Sequence, residues 1–330
     1  MSGAVMSGSD VERIEGALFF EPPEMRARLT RFTMLILFAS IIATGGLLSD
    51  SVASIIGAMI IAPLMTPIMG MVVAIVIGSQ ARLFRSAIIV LAGIALAISV
   101  GWLMATLMPH GWLPSNSDQV MSRTSPQLLD LVVALASGGA GAYALSRVDV
   151  ADALPGVAIA ISLVPPLNTV GILLAGGRGE DALGAMILFL TNIGAILLAG
   201  TITFLITGLA AAVGRRPSQV RNALFAICIF VALIAIPLRA NSHRLWADAT
   251  HEEKVLEIVH GWIEPTDWEV YAVNVDGNLV EIALGGDGEL PPTDDVIAAL
   301  NEEFDGDVEV TARIVNTRKE VLTSTPEAVP

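Results

Sequence analysis

Pro63-Leu64-Met65-Thr66 and, 103 positions further on, Pro166-Leu167-Asn168-Thr169 each interrupt a long apolar segment. A proline inside a membrane helix removes one backbone hydrogen bond and clashes with the preceding turn, so it persists where neighbouring helices or water rescue the freed groups. Paired breaks in corresponding halves of a chain are the best sequence pointer to a transporter's central site. Proline also suits the first turn of a helix, where its missing N–H is no loss. Each break therefore reads as the start of a half-helix whose N–H groups and positive dipole end favour an anion or a polarised oxygen.

The setting of these breaks is a membrane. Of 330 residues, 54% are hydrophobic and only 15% charged, with a mean hydropathy of +0.71, which does not suit a soluble domain. Crossing the hydrocarbon takes about 20 apolar residues. Such runs are read at seven places: Arg31 to Leu48, Val52 to Ser79, Ser86 to Met108, Leu128 to Leu145, Ala151 to Ala175, Leu183 to Val213 and Asn222 to Leu238. The segment 1–30 is polar, with Glu12, Glu15, Glu21 and Glu24, and lacks the basic region and early apolar core of a cleaved signal peptide. The first span is expected to stay in the mature protein.

Charge divides the chain. Up to Arg244 there are 14 Lys and Arg against 12 Asp and Glu, whereas Leu245 to Pro330 holds 4 against 20, so a net of −14 is +2 set against −16. The expected domains are thus a transmembrane region over 31–240 and an acidic, water-soluble domain over 245–330. Such acidity disfavours nucleic acid or anionic lipid as that domain's partner. Cys228 is the lone cysteine, so no intrachain disulfide or cysteine-based metal site exists.

Lys and Arg in short connections mark the cytoplasmic side. With the N-terminus inside, the inner segments hold Arg13, Arg26, Arg28, Arg31, Arg82, Arg85, Arg147, Arg215, Arg216 and Arg221, and the short outer loops only Arg123 and Arg178. Seven spans would then put the acidic domain outside, although Arg239 and Arg244 after the last span argue the other way. Three spans around the first Pro-Leu-x-Thr and three around the second form two repeats. An odd number of spans per repeat inverts the second copy about an axis in the membrane plane, and the broken second and fifth spans would meet near the midplane.

The expected solute contacts are Pro63, Thr66, Pro166, Asn168, Thr169 and Asn192, the last beside Thr191 in the sixth span. The same hydroxyls and amides also serve to tie helices together in lipid. No Asp, Glu, Lys, Arg or His lies in the middle of a span, which disfavours a carboxylate-driven proton pump. Asp50, in Ser49-Asp50-Ser51, either N-caps the second helix or reaches inward toward an ion. Small residues at four-residue intervals, Gly93, Ala97 and Gly101 or Ala134, Gly138 and Ala142, let helix backbones approach closely within one subunit or in a homo-oligomer. No His-Glu-x-x-His, Gly-x-Ser-x-Gly or Walker sequence occurs, and His110, His243, His251 and His260 lie outside the spans without metal-ligand spacing. Neither an enzyme nor a cofactor or metal is expected.

The tail reads as helix, strand, strand, helix, strand. Leu245 to Trp262 has helical composition, with Val255, Leu256, Ile258 and Val259 for a buried face. Trp268 to Val275 and Leu279 to Leu284 are strands joined by Asp276-Gly277, a two-residue hairpin signal. Thr293 starts a helix to Phe304, and Val308, Val310, Ala312 and Ile314 alternate along a last strand. Asp287, Glu289, Asp294 and Asp295 form a solvated acidic edge without EF-hand spacing.

Ser51-Val52-Ala53-Ser54-Ile55-Ile56-Gly57-Ala58-Met59-Ile60-Ile61-Ala62-Pro63-Leu64-Met65-Thr66-Pro67-Ile68, then Gly156-Val157-Ala158-Ile159-Ala160 through Val164-Pro165-Pro166-Leu167, resembles the prokaryotic membrane proteins of domain-of-unknown-function family 389. Thr191-Asn192, within Leu-Thr-Asn-Ile-Gly-Ala-Ile, resembles it too. The resemblance runs from about Arg31 to Val213. It implies an integral protein of a bacterial or archaeal cell membrane and supplies no substrate. The expected architecture is an all-α polytopic membrane bundle with a 3+3 inverted repeat and a small C-terminal α/β domain. Its expected role is a transporter or channel-like protein for a small anion or polar solute; the alternative is a membrane anchor or sensor whose acidic tail binds a partner.

Overall fold

The computed structural model describes residues 6–108, 114, 117–147, 163–215, 220–264, 266, 268–276, 279–286, 290–304 and 309–316. It divides into two compact units, Met1–Asn241 and Ser242–Pro330.

In the first unit the polar N-terminal segment carries a helix of its own. Ser7 accepts from the Asp10 N–H and Asp10 returns the bond to the Ser7 N–H, a capping box that starts α1, Gly8–Leu18. Its Val11, Ile14 and Leu18 are buried. Then follow α2 (Met25–Leu48), α3 (Val52–Ile61), α4 (Met65–Ile77), α5 (Gln80–Thr106), the short α6 (Asp118–Met121), α7 (Leu128–Ser146), α8 (Val164–Ala175), α9 (Gly179–Ile206), the short α10 (Leu209–Ala212) and α11 (Arg221–Ile263). Helix α1 packs against α4, α7 and α10. The core includes Ile36, Ile68, Met69, Phe189 and Phe204, all fully buried.

Among the described residues four helices, α2, α5, α7 and α9, are long and apolar enough to cross a membrane, and α3 with α4 makes a fifth crossing if the bent pair is one span. By length and composition this is a membrane protein. Among the described residues the count stops short of the seven expected crossings. The second expected span is two helices bent by 48°. Only the later part of the fifth, as the twelve-residue α8, falls in the described residues. The seventh is the opening of α11, of which Arg221–Leu233 is a short apolar stretch. That helix continues unbroken to Ile263, where a separate helix from Leu245 was expected.

Small residues set the closest approaches. A Cβ on Gly101 of α5 would run into the Asn168 carbonyl of α8, and one on Gly171 of α8 would meet the Ile98 carbonyl and lie 2.6 Å from the Trp102 nitrogen. On α7, a Cβ at Gly138 would lie 2.7 Å from the Ile196 Cα of α9. The four-residue spacing of Gly and Ala is therefore used for packing within one chain.

At the far end of α4, Gly78 takes φ 76°, and its missing Cβ leaves room for the Arg215 guanidinium. Arg215 donates to the carbonyls of Ile75 (3.2 Å) and Val76 (3.1 Å), groups that the helix end leaves unsatisfied. Arg215→Gln is expected to lower stability by about 1.5–3 kcal/mol, the range for hydrogen bonds to a charged group, with Arg215→Lys intermediate. Thermal unfolding in detergent checks the order, and equal melting of all three proteins would refute the cap.

The second unit has the expected element order. Strands β1 (Glu269–Asp276) and β2 (Leu279–Gly286) pair antiparallel, with Asp276 opposite Leu279, so Asp276, expected in the turn, is the last residue of β1. After α12 (Thr293–Glu303), β3 (Glu309–Asn316) pairs parallel to β2, giving the order β1-β2-β3. Val280, Ile282 and Leu284 of β2 pack with Val255, Val259 and Ile263 of α11 and with Val296 and Leu300 of α12. Leu256 is exposed instead of buried, because Val255, Val259 and Ile263 already form the inward stripe. Asp287 and Glu289 lie outside the described residues.

Candidate functional site

The first break follows from one proline. Ser51 caps α3 by accepting from the Ser54 N–H, and the helix ends at Ala62, which is extended (ψ 122°) as a residue before proline must be. The chain turns through Pro63 and Leu64, the Thr66 N–H donates to the Pro63 carbonyl (3.2 Å), and α4 begins. Leu64 is fully buried against Gly93 of α5 and Phe32 of α2. Pro63 and Thr66 line a cavity of about 270 Å³ whose other walls include Phe20, Arg28, Arg31, Phe32 and Leu35. Arg28 is anchored by Glu24 (3.1 Å) and by the Phe19 carbonyl (3.1 Å). Two permanently charged guanidinium groups thus share this cavity with a half-helix start.

The second break is chemically different. Pro165 and Pro166 stand in the first turn of α8 and remove two of the N–H donors that a helix start would offer an anion. The polar chemistry is carried by side-chain oxygens. Asn168, fully buried, donates through Nδ2 to the Ser40 carbonyl (2.8 Å) and to Thr44 Oγ1 (2.5 Å), both on α2. A backbone carbonyl only accepts, so the amide nitrogen faces α2 and Oδ1 points away from it. Asn168 Oδ1, Thr169 Oγ1 and Ser40 Oγ are all buried without a hydrogen-bond partner among the described residues. Two other buried threonines bond back into their own helix, Thr191 to Ile187 (2.8 Å) and Thr201 to Leu197 (2.6 Å). Each unsatisfied group costs about 1–3 kcal/mol, and these three cluster on Asn168, Thr169 and the facing Ser40 among the described residues of the membrane unit.

The two breaks do not meet. Along α5, Leu64 lies against Gly93 and Asn168 against Gly101, eight residues or about 12 Å apart. Along α2, Leu35 lines the first cavity and Thr44 bonds Asn168, nine residues or about 13 Å apart. The single midplane site expected from the paired motifs is therefore two loci: Pro63 and Thr66 in one, Asn168 and Thr169 in the other, with Pro166 buried in the first turn of α8. Both α5 and α9 pack between α4 and α8, which keeps them apart. Asn192, buried on α9, is not among the residues that line the cavity at the first break.

Asp50 has a structural task. Ser51, not Asp50, caps α3, and Asp50 takes a left-handed conformation (φ 55°). Its Oδ1 accepts from the Gln119 N–H (2.8 Å) and from Ser117 Oγ (2.9 Å), tying the α2–α3 turn to the start of α6. Burial pushes the Arg123 guanidinium below its ordinary value, and the Asp50 charge opposes that shift. Among the described residues no cluster of His, Cys, Asp and Glu is arranged for a metal ion.

Sequence reasoning missed Arg28 and Arg31 as cavity walls and Ser40 with Thr44 as partners of Asn168. The second pair carried a readable signal, since residues four apart share a helix face and two hydroxyls there mark a polar contact inside an apolar span.

The profile of the family described as Domain of unknown function (DUF389) matches residues 59–198. An uncharacterized protein of Methanocaldococcus jannaschii is 31% identical over 210 residues, which is 63% of this chain. The match spans 64% of the archaeal protein, less than two thirds of its length. No solved structure matches. The break at 62–66, helix α8 and Thr191-Asn192 all lie inside the stretch, residues 59–198, that matches the DUF389 family.

Proposed function

We propose that this protein moves a small anion or a polar solute across a prokaryotic cell membrane, without catalysis or a cofactor. The observation that carries the reading is the cavity of about 270 Å³ where a half-helix starts beside Arg28 and Arg31. A start of this kind with two fixed cations favours an anion or a polarised oxygen over a metal cation. Asn168, Thr169 and Ser40 form a second polar station about 12 Å further along α5. In this reading seven crossings run from a cytoplasmic N-terminus, and two inverted three-span repeats place the stations at different depths. Reciprocal packing supports the repeats: Gly101 of α5 abuts α8, and Gly200 of α9 abuts Val72 of α4.

Vesicles carrying the reconstituted protein are expected to take up one or more of chloride, nitrate, phosphate and glycerol. For an anion, Arg28→Gln with Arg31→Gln is expected to reduce uptake about tenfold, the lower end of the gain that a focused charge gives. In a Cys228→Ser background, cysteine at 66 is expected to react with aqueous maleimide, and cysteine at 169 to react faster while solute is moving. No flux of any probe, together with two inert cysteines, would leave the anchor or sensor reading in its place.

A further inference from the structure

A second hollow lies on the other side of Phe20 and Phe32. Met25, Leu29 and Ile36 of α2 line one wall, and Arg85, Ala92 and Leu96 of α5 line the other, enclosing about 330 Å³. The spacings of four and seven keep each set on one helix face. Positions 25 to 36 and 85 to 96 each span eleven steps, so the furrow is about 16 Å long. Both helices begin at the same end, because Glu21, just before α2, binds Arg82 in the first turn of α5 at 2.9 Å. Arg85 therefore stands at the rim with Met25, while Ile36 and Leu96 mark the deep end.

We propose that this furrow holds one acyl chain of an anionic phospholipid, with the lipid phosphate on Arg85. Three observations select that occupant. The lining is apolar apart from Arg85 and Thr33, so neither water nor a free anion is stabilised along its length. Ile88 belongs to the wall and is also half exposed, and its neighbours Phe84 and Leu91 are more exposed still. The opening thus faces sideways, where the span meets hydrocarbon. Finally, Arg85 keeps donors for a phosphate. Its one described ion pair is with Glu21 at 3.9 Å, and that carboxylate is already held by Arg82 through two bonds of 2.9 and 3.3 Å.

The lipid has a position as well as a chemistry. Phe20 and Phe32 meet edge to face at 6.0 Å and wall both the furrow and the cavity at the first break. An acyl chain here stands one aromatic layer from Pro63 and Thr66 and holds that partition in place. The inference does not depend on what the other cavity carries.

The test is native mass spectrometry on the full chain, stripped of lipid in detergent and then offered phosphatidylglycerol, phosphatidylcholine with the same chains, or inorganic phosphate alone. One phosphatidylglycerol is expected to be retained, with phosphatidylcholine weaker and phosphate not retained. Arg85→Gln is expected to weaken phosphatidylglycerol about fivefold, the value of one basic residue against an anionic headgroup, and phosphatidylcholine, whose phosphate charge is offset by its choline, by less. Ala92→Trp, which fills the furrow, is expected to abolish retention of both lipids, and Leu96→Phe at the deep end tests the same point if the larger change disturbs folding. Equal retention by the wild type and the furrow variants overturns the proposal. So does Arg85-dependent binding of phosphate that the furrow variants leave intact, or a dimer that they dissolve, which would make a second copy the occupant.

Discussion

Gly171→Ala is expected to destabilise the membrane unit by about 3 kcal/mol, the upper end of what overpacking costs. One added methyl is a small change, and the size of the effect comes from what it strikes. The new carbon would collide with the Ile98 carbonyl and lie 2.6 Å from the Trp102 nitrogen. Both are backbone atoms in the last third of α5, where no rotamer change can make room. Helix α8 would have to move outward, and the contact between Gly101 and the Asn168 backbone would open with it. Gly45→Ala is the control. Gly45 lies inside α2 with nothing within 4 Å of its would-be Cβ, so alanine there is expected to be neutral or to stabilise by up to about 1 kcal/mol, its intrinsic helix advantage. Apparent melting temperatures of the two variants in detergent should move in opposite directions from wild type. A shared direction, or a Gly171→Ala protein that melts normally, would mean that α5 and α8 are not in backbone contact.

Asn168→Asp is expected to be worse than Asn168→Ala, although aspartate is nearly the same size. The amide nitrogen gives its two hydrogens to the Ser40 carbonyl and Thr44 Oγ1. Alanine loses these bonds, and the Ser40 carbonyl keeps its bond within α2, so the loss is about 1–2 kcal/mol. A carboxylate instead presents an acceptor to the Ser40 carbonyl in a fully buried place with no described cation beside it, and the uncompensated charge costs several kcal/mol. Expression and thermal stability should rank wild type above Asn168→Ala and Asn168→Asp last. If aspartate is tolerated as well as alanine, water or a cation reaches Oδ1, and the second break is wetter than its burial indicates.

Much of the architecture was legible because it rests on local rules. Pro63 stops α3 at the residue before it, an effect of neighbouring residues, whereas Ser79, expected to end the second span, caps α5, and Asp276, expected in the turn, ends β1 opposite Leu279. The small-residue runs announced close packing, but not which helix would be met. That Gly101 faces Asn168 while Gly138 faces Ile196 is decided by tertiary contacts far apart in sequence. The site was legible only in part for the same reason. Identical Pro-Leu-x-Thr segments pointed to one shared locus, yet their surroundings differ: Arg28 and Arg31 come to the first from the start of α2, and Ser40 with Thr44 to the second from its later half. Asp50 was misread in detail because its partners, Ser117 and Gln119, are more than sixty residues away.

The glycine contacts also bear on which parts of this protein slide. Where backbone presses on backbone, as at Gly101 and Gly171 between α5 and α8 and at Gly138 between α7 and α9, no side chain stands at the crossing point to yield. Helix α4 rests on softer bearings: the methyls of Leu64 against Gly93, those of Val72 against Gly200, and the Ser86 hydroxyl 3.1 Å from the Cβ position of Gly70. It is also uncoupled from α3 by the 48° bend at Pro63. The α5–α8 pair is thus held by its backbones, and α4 by side chains that can yield.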